Sequence, residues 1–341
     1  MSSKNILVTG AAGFIGYHLA LRLNKEGHQV VGIDNINDYY STSLKEDRVQ
    51  RLTEEGQIDF HQLDLVQDEE LNSLFEQHQF DTVINLAAQA GVRYSLKNPK
   101  AYTRSNLVGF ANILEVCRHH EVEHLLYASS SSVYGANQKQ PFSEHHSTQH
   151  PQSLYAATKK SNEMLAHSYA HLFGLPVTGL RFFTVYGPWG RPDMAYYKFA
   201  KMMLEKQPLP LYNGGDMYRD FTYIDDIVEA IVRLLNHQPR GNKQWKSDIS
   251  HPDPATSAAR YRIFNIGRNQ PVHLLKMVDL LEEYLGVQAI REDKPMPATE
   301  VYKTWADSSE LYELIGFEPT VDLDQGLRKF VDWFRDYTEN Q

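Results

Sequence analysis

The sequence predicts a doubly wound parallel α/β sheet with a smaller mixed α/β region behind it. Three observations point there. Short β-rich runs alternate with longer amphipathic segments through residues 1–187, a glycine triplet stands where the first run meets the first helical period, and after GPWGRPD (187–193) the rhythm shifts to short helices, short strands and Pro-rich turns. Repeated strand–helix–strand units bury both faces of a parallel sheet under crossover helices.

In chain order the expected strands are NILVTG (5–10), HQVVGID (28–34), IDFHQLDL (58–65), DTVINLAA (81–88), HLLYASS (124–130) and PVTGLRFF (176–183). The first helix is expected over YHLALRLNKEG (17–27). Residues 1–187 are assigned to a cofactor-binding domain and 188–341 to a substrate-facing region. One late helix, DDIVEAIVRLLN (225–236), is expected to return to the first domain. The polar, Pro-punctuated stretch 241–260 reads as an exposed loop.

The chain has 341 residues, 42% of them apolar, which is enough for one large or two modest domains. A formal net charge of -9 with interspersed signs leaves no basic stripe for a phosphate backbone, so no nucleic-acid partner is expected. Cys117 lies in the apolar pattern LVGFANILEVC and reads as a buried structural thiol; as the single cysteine it excludes a disulfide within the chain. No apolar run approaches the roughly 20 residues of a membrane span. The expectation is a cytoplasmic enzyme or binding protein, with no membrane partner and no metal site.

The triplet Gly10, Gly13 and Gly16 in GAAGFIG follows a strand and opens a helix. Glycines at such a turn let the backbone approach a pyrophosphate, whose charge then rests at the helix N-terminus. The next strand ends in Asp34, placed to accept both hydroxyls of an adenosine ribose and to repel a 2′-phosphate, which favours NAD over NADP. Asp64 and Leu65 are placed to flank the adenine. Leu86, Ala87 and Ala88 end the fourth strand, where backbone can approach the rest of the dinucleotide.

Strand HLLYASS ends in the hydroxyls Ser129, Ser130, Ser131 and Ser132. In YAATK, Tyr155 and Lys159 stand four apart on one helix face, so the ammonium lies near the phenol. Lowering a phenol pKa from about 10 by about three units takes roughly 4 kcal/mol, about what an ammonium at 4–5 Å supplies at an effective dielectric near 20. Tyr155 is therefore the candidate general base, with Lys159 lowering its pKa and a serine orienting the substrate oxygen. Spacing alone carries nothing, since Tyr197 and Lys201 repeat it without a hydroxyl-rich strand end nearby.

The ordered motifs GAAGFIG, NLAA, ASSSSVYG, YAATK, RDFTYIDD and FNIG resemble the extended short-chain dehydrogenase/reductases, a Rossmann-type family, and within them the nucleotide-sugar 4-epimerases. LAAQAGVRYSL, GPWGRPDMA and HPDPATS look most like UDP-glucuronate 4-epimerases. The resemblance implies a Ser130, Tyr155 and Lys159 triad, tightly held NAD, and a homodimer. It also implies interconversion of UDP-glucuronate and UDP-galacturonate through a 4-keto sugar. Phe14, Ile15, Asn35 and Asn106 complete the expected cofactor contacts, together with Tyr155 and Lys159. A 4-keto glucuronate is a β-keto acid prone to losing carbon dioxide, so its carboxylate must be held; Arg191, Thr184, Ser131 and Ser132 are the candidates. Arg219 is expected at the diphosphate, with Arg93 adding positive charge.

Three alternatives stand beside this reading: another UDP-sugar 4-epimerase, a UDP-glucuronate decarboxylase, and a dinucleotide sensor without chemistry. Related decarboxylases and dehydratases carry a carboxylate beside the hydroxyl motif, where this chain has Ser131 and Ser132 and no acid until Glu144. Thr184 stands where galactose-type epimerases tend to have Asn. Relatives often show PGDV where this chain has ATEV (298–301), and no nucleotide contact is assigned there.

Overall fold

All six expected runs form strands, and a computed structural model of the chain, which describes residues 3–247, 252–297 and 301–339, shows how they pair. They are β1 (Asn5–Thr9), β2 (Gln29–Asp34), β3 (Asp59–Gln62), β4 (Thr82–Asn85), β5 (His124–Ser130) and β6 (Val177–Phe182). Further along come β7 (Thr184–Tyr186), β8 (Leu209–Tyr212), β9 (Tyr218–Tyr223), β10 (Tyr261–Ile266), β11 (Pro271–His273) and β12 (Arg291–Lys294). The central sheet has seven parallel strands in the order β10-β6-β5-β4-β1-β2-β3. The order reverses between β1 and β4, and the strand ends at that switch point open a crevice. A three-stranded sheet, β11-β9-β7, and the pair β12-β8 lie on the substrate side.

Strands buried on both faces write unbroken apolar runs, as in β1, where Ile6, Leu7 and Val8 are fully buried. The first helix begins earlier than expected, at Phe14, and runs to Lys25. Gly13 is its N-cap, so Gly16 falls inside its first turn instead of before it. Helix Leu154–Phe173 starts at Ser153, whose side chain accepts from the Ala156 amide at 3.1 Å, and it packs along β5 and β6.

The division at residue 187 does not separate two cores. β10 is the seventh strand of the central sheet, drawn from far beyond that point. Helix Ile224–Leu234 packs on helix Phe14–Lys25, the return expected for 225–236. One hydrophobic cluster runs from Ile6 and Val8 through Tyr196 and Ile227 to Phe330 and Phe334. Within 241–260, Ala255 and Ser257 are buried, against the expectation of a wholly exposed loop. The part around Ala255 folds back on β10, with the Ile263 amide donating to the Ala255 carbonyl at 2.8 Å, and so covers the edge of the sheet there. Cys117 is buried and its thiol pKa is pushed up by desolvation, as its apolar setting predicts. Ala298, Thr299 and Glu300 lie outside the described residues, as does His251 of HPDPATS.

Candidate active site

At the carboxyl ends of β1, β2, β4 and β5 the chain encloses a cleft of about 970 Å³. Its cofactor end is shaped by backbone. Gly10 has φ +71°, and a Cβ there would lie 2.8 Å from the Ala87 amide nitrogen; a Cβ on Gly16 would lie 2.1 Å from the Gly10 carbonyl oxygen. Neither position admits a side chain, so the loop stays thin where β1 turns into the helix, the shape a pyrophosphate needs. Gly13, Phe14 and Ile15 line the same wall.

Asp34 ends β2 with its Oδ1 accepting from the Ile36 amide at 2.9 Å. Burial raises its carboxyl pKa, opposed by that hydrogen bond and by the nearby Lys45 ammonium. Asn35 donates to Asp64 at 3.2 Å, tying the ends of β2 and β3 together. Asp64, Leu65, Leu86, Ala87 and Ala88 all line the cleft, as their strand-end positions predict.

Asn106 does not. It is buried behind the wall in a π-helical turn, Thr103–Val108. Its side chain accepts from the Gln89 amide at 2.8 Å and donates to the Gln89 carbonyl at 3.1 Å and to Thr158 at 3.0 Å. Asn106 therefore clamps the segment after β4 to the helix carrying Lys159.

Ser130, Tyr155 and Lys159 meet at the centre of the cleft. The Ser130 hydroxyl accepts from the Ser132 amide at 3.2 Å, capping the turn Ser131–Tyr134, and its nearness draws the Tyr155 phenol pKa down. Lys159 donates to the Ala128 carbonyl at 2.9 Å, and burial lowers its own pKa to about 8. Tyr155 departs from the sequence expectation. Its pKa is raised by burial, with Ser130 and then Arg191 pulling it down and Asp193 pushing it up. Both groups are desolvated and Lys159 is turned to a backbone carbonyl, so helical spacing alone does not make a phenolate.

Ser131, Ser132, Thr184, Arg191, Arg219 and Arg93 line the same cleft. Arg93 stacks over the Tyr212 ring at 4.6 Å, and Arg219 donates to the Tyr218 and Tyr302 carbonyls at 2.8 and 3.3 Å. Arg191 forms a two-pronged pair with Asp193, at 3.0 and 2.6 Å. Glu144 is buried away from the cleft, accepting from the Asn265 amide at 2.9 Å.

Four residues escaped the sequence reading. Lys45 donates to the Asn37 carbonyl at 2.5 Å close to Asp34, and the fully buried Arg48 joins the Ala12 carbonyl of the glycine loop to those of Trp189 and Gly190. Both sit in the polar pattern LKEDRVQR, which announces a solvated helix. Tyr39 and Asp193 face each other across the cleft at 3.0 Å; Asp193 had its signal in GRPDM, two residues beyond Arg191.

Likeness to known proteins agrees with this geometry. The chain is 52% identical to Protein CapI of Staphylococcus aureus, over 97% of this chain and 98% of that one. It is 46% identical to a probable UDP-glucuronate 4-epimerase of Rhizobium meliloti, over 96% of each chain. The solved structure of UDP-glucuronic acid 4-epimerase from Bacillus cereus, in complex with UDP-glucuronic acid and NAD, aligns with a TM-score of 0.83 at 34% identity, covering 98% of this chain and 99% of that one. The model of the NAD dependent epimerase/dehydratase family matches residues 6–267. That match begins in β1 and ends one residue past β10, taking in every strand of the central sheet, and the chain belongs to the NAD dependent epimerase/dehydratase family.

Proposed function

We propose that the protein interconverts UDP-glucuronate and UDP-galacturonate by transient oxidation at C4, with NAD held along the cleft from Asp34 to Lys159. The observation that carries this function is the meeting of Ser130, Tyr155 and Lys159 in one cleft with Ser131, Ser132, Thr184 and Arg191. Gly10, Gly13, Asp34 and Lys159 would hold NAD, which would supply a reversible hydride acceptor for C4 with no net oxidation. Tyr155 takes the proton from the C4 hydroxyl as the ketone forms and gives it back when the opposite face of the sugar is reduced. Ser130 orients the C4 oxygen. Lys159, held by the Ala128 carbonyl, supplies positive charge beside the phenol. The adjoining hydroxyls and Arg191 hold the C6 carboxylate, keeping its C–C bond out of line with the ketone and so suppressing loss of carbon dioxide. Arg219 and Arg93 serve the diphosphate. Residues 1–187 supply most of the cofactor contacts, and 188–341 complete the sugar and nucleotide side.

Incubating the purified protein with UDP-glucuronate and identifying the product by NMR tests this directly. UDP-galacturonate is expected; a UDP-pentose marks a decarboxylase, turnover of neutral UDP-sugars alone marks another epimerase, and bound NAD without turnover of any sugar marks a sensor. Arg191→Ala is expected to raise KM for UDP-glucuronate about tenfold or more, the worth of a lost charge-assisted hydrogen bond, with little change for UDP-glucose. Asp193, left uncompensated in that variant, repels the uronate and adds to the loss. Equal effects on both sugars remove Arg191 from the carboxylate site.

The same proposal extends to a cytoplasmic homodimer. Among the described residues no helix is long and apolar enough to cross a membrane. Met164 and Leu172, on one side of helix Leu154–Phe173, are 63% and 67% exposed, apolar surface suited to a second copy. Light scattering is expected to give twice the chain mass, and a monomer at micromolar concentration overturns the dimer.

A further inference from the structure

The motif that carries Arg191 also carries a carboxylate that an anion-binding cleft does not need. Asp193 Oδ1 accepts from Arg191 Nε at 3.0 Å, and Oδ2 accepts from Arg191 Nη2 at 2.6 Å and from the Tyr39 hydroxyl at 3.0 Å. Tyr39 follows β2 on the cofactor side, whereas Arg191 and Asp193 follow β7, so the three residues tie the two walls together. The Arg191 and Asp193 side chains are 24% and 27% exposed, within reach of a bound sugar. A fixed negative charge beside a uronate site costs affinity unless it serves another purpose.

We infer that Asp193 is a positioning residue: it fixes the guanidinium of Arg191 by one edge and cancels its charge, so that Arg191 meets the uronate through its orientation and not through net attraction. This rests on the proposed reaction at the same cleft. The groups around the Tyr155 base are Lys159 on its own helix, Ser130 at the end of β5, Tyr102 with ring centroids 6.1 Å away, Tyr94 and Lys97 on the short helix packed alongside, and Arg191 and Asp193 opposite. Of these, Arg191 pulls the phenol's pKa down and Asp193 pushes it up.

Asp193→Asn keeps the shape and removes the charge. The acid limb of its kcat–pH profile is expected to move about 0.5–1 unit toward lower pH, because a base relieved of a neighbouring anion loses its proton more readily. KM for UDP-glucuronate is expected to fall several-fold with KM for UDP-glucose unchanged. Tyr39→Phe, which keeps the charge, is expected to leave the limb in place. An unmoved limb and an unchanged KM ratio in Asp193→Asn, with or without a lower melting temperature, overturn the assignment. A wild-type protein that turns over a different UDP-sugar sinks the uronate reaction, while the limb measured on that sugar still decides the role of Asp193. No turnover of any UDP-sugar sinks both.

Discussion

Replacing Tyr155 with Phe is expected to lower kcat by about 10²- to 10⁴-fold, the usual worth of a positioned acid–base group, while NAD stays bound. Only a hydroxyl is removed, from a ring held against Tyr102 in the cleft wall. The glycine loop, Asp34 and Lys159 are untouched, so cofactor retention separates a lost base from a collapsed site. The checks are turnover of UDP-glucuronate and the amount of NAD released on denaturation. Full activity in the variant would falsify the assignment. In the wild type, burial raises the phenol's pKa and lowers that of Lys159 to about 8. The base acts after losing a proton, so kcat is expected to rise with pH from the acid side.

The largest expected effect on stability lies beneath the site. Arg181, at the end of β6, is fully buried and donates to both oxygens of Glu163, at 2.8 and 3.0 Å; the Glu163 side chain is 1% exposed. Arg181 also donates to the Tyr134 hydroxyl at 3.1 Å, and Glu163 accepts from Ser129 at 2.7 Å, one residue before Ser130. Glu163→Ala leaves a buried guanidinium without its counter-charge, and a loss of about 3–5 kcal/mol is expected by urea unfolding. Burial pushes the Glu163 carboxyl pKa up, but Arg181 outweighs it and the net direction is down from 4.5. With a depressed folded pKa, the stabilisation is present in full above pH 4.5 and disappears as pH falls through the folded value. Wild-type stability should therefore drop in acid more steeply than that of Glu163→Gln. Parallel acid profiles would take Glu163 out of that dependence.

Some of this was legible in one dimension, because the constraints involved are local. A strand buried on both faces must be apolar throughout, and β1 and β4 to β6 are rich in apolar residues for that reason. A Cβ on Gly10 would lie 2.8 Å from the Ala87 amide nitrogen, so Gly10 had to be glycine and the cofactor loop could be read. Ser130, Tyr155 and Lys159 lie on a strand end and a helix turn whose geometry follows from spacing.

Other features depended on pairings across long stretches of chain. β10 is six residues long and joins β6 from nearly 80 residues away, beyond the reach of a rhythm read along the first 187. Nothing local to Asn106 says that its side chain bonds to Gln89 and Thr158. Arg48 and Lys45 read as solvated charges because a polar helix pattern does not reveal that one face meets the glycine loop. The sequence by itself determined the fold class and the dinucleotide cradle, both consequences of local backbone geometry. Tertiary structure alone decided how strongly the phenol is desolvated, that Arg191 is paired with Asp193, and that Arg181 balances Glu163. A charge's partner and its exposure to water are set by residues distant in the chain, and those two quantities govern its chemistry.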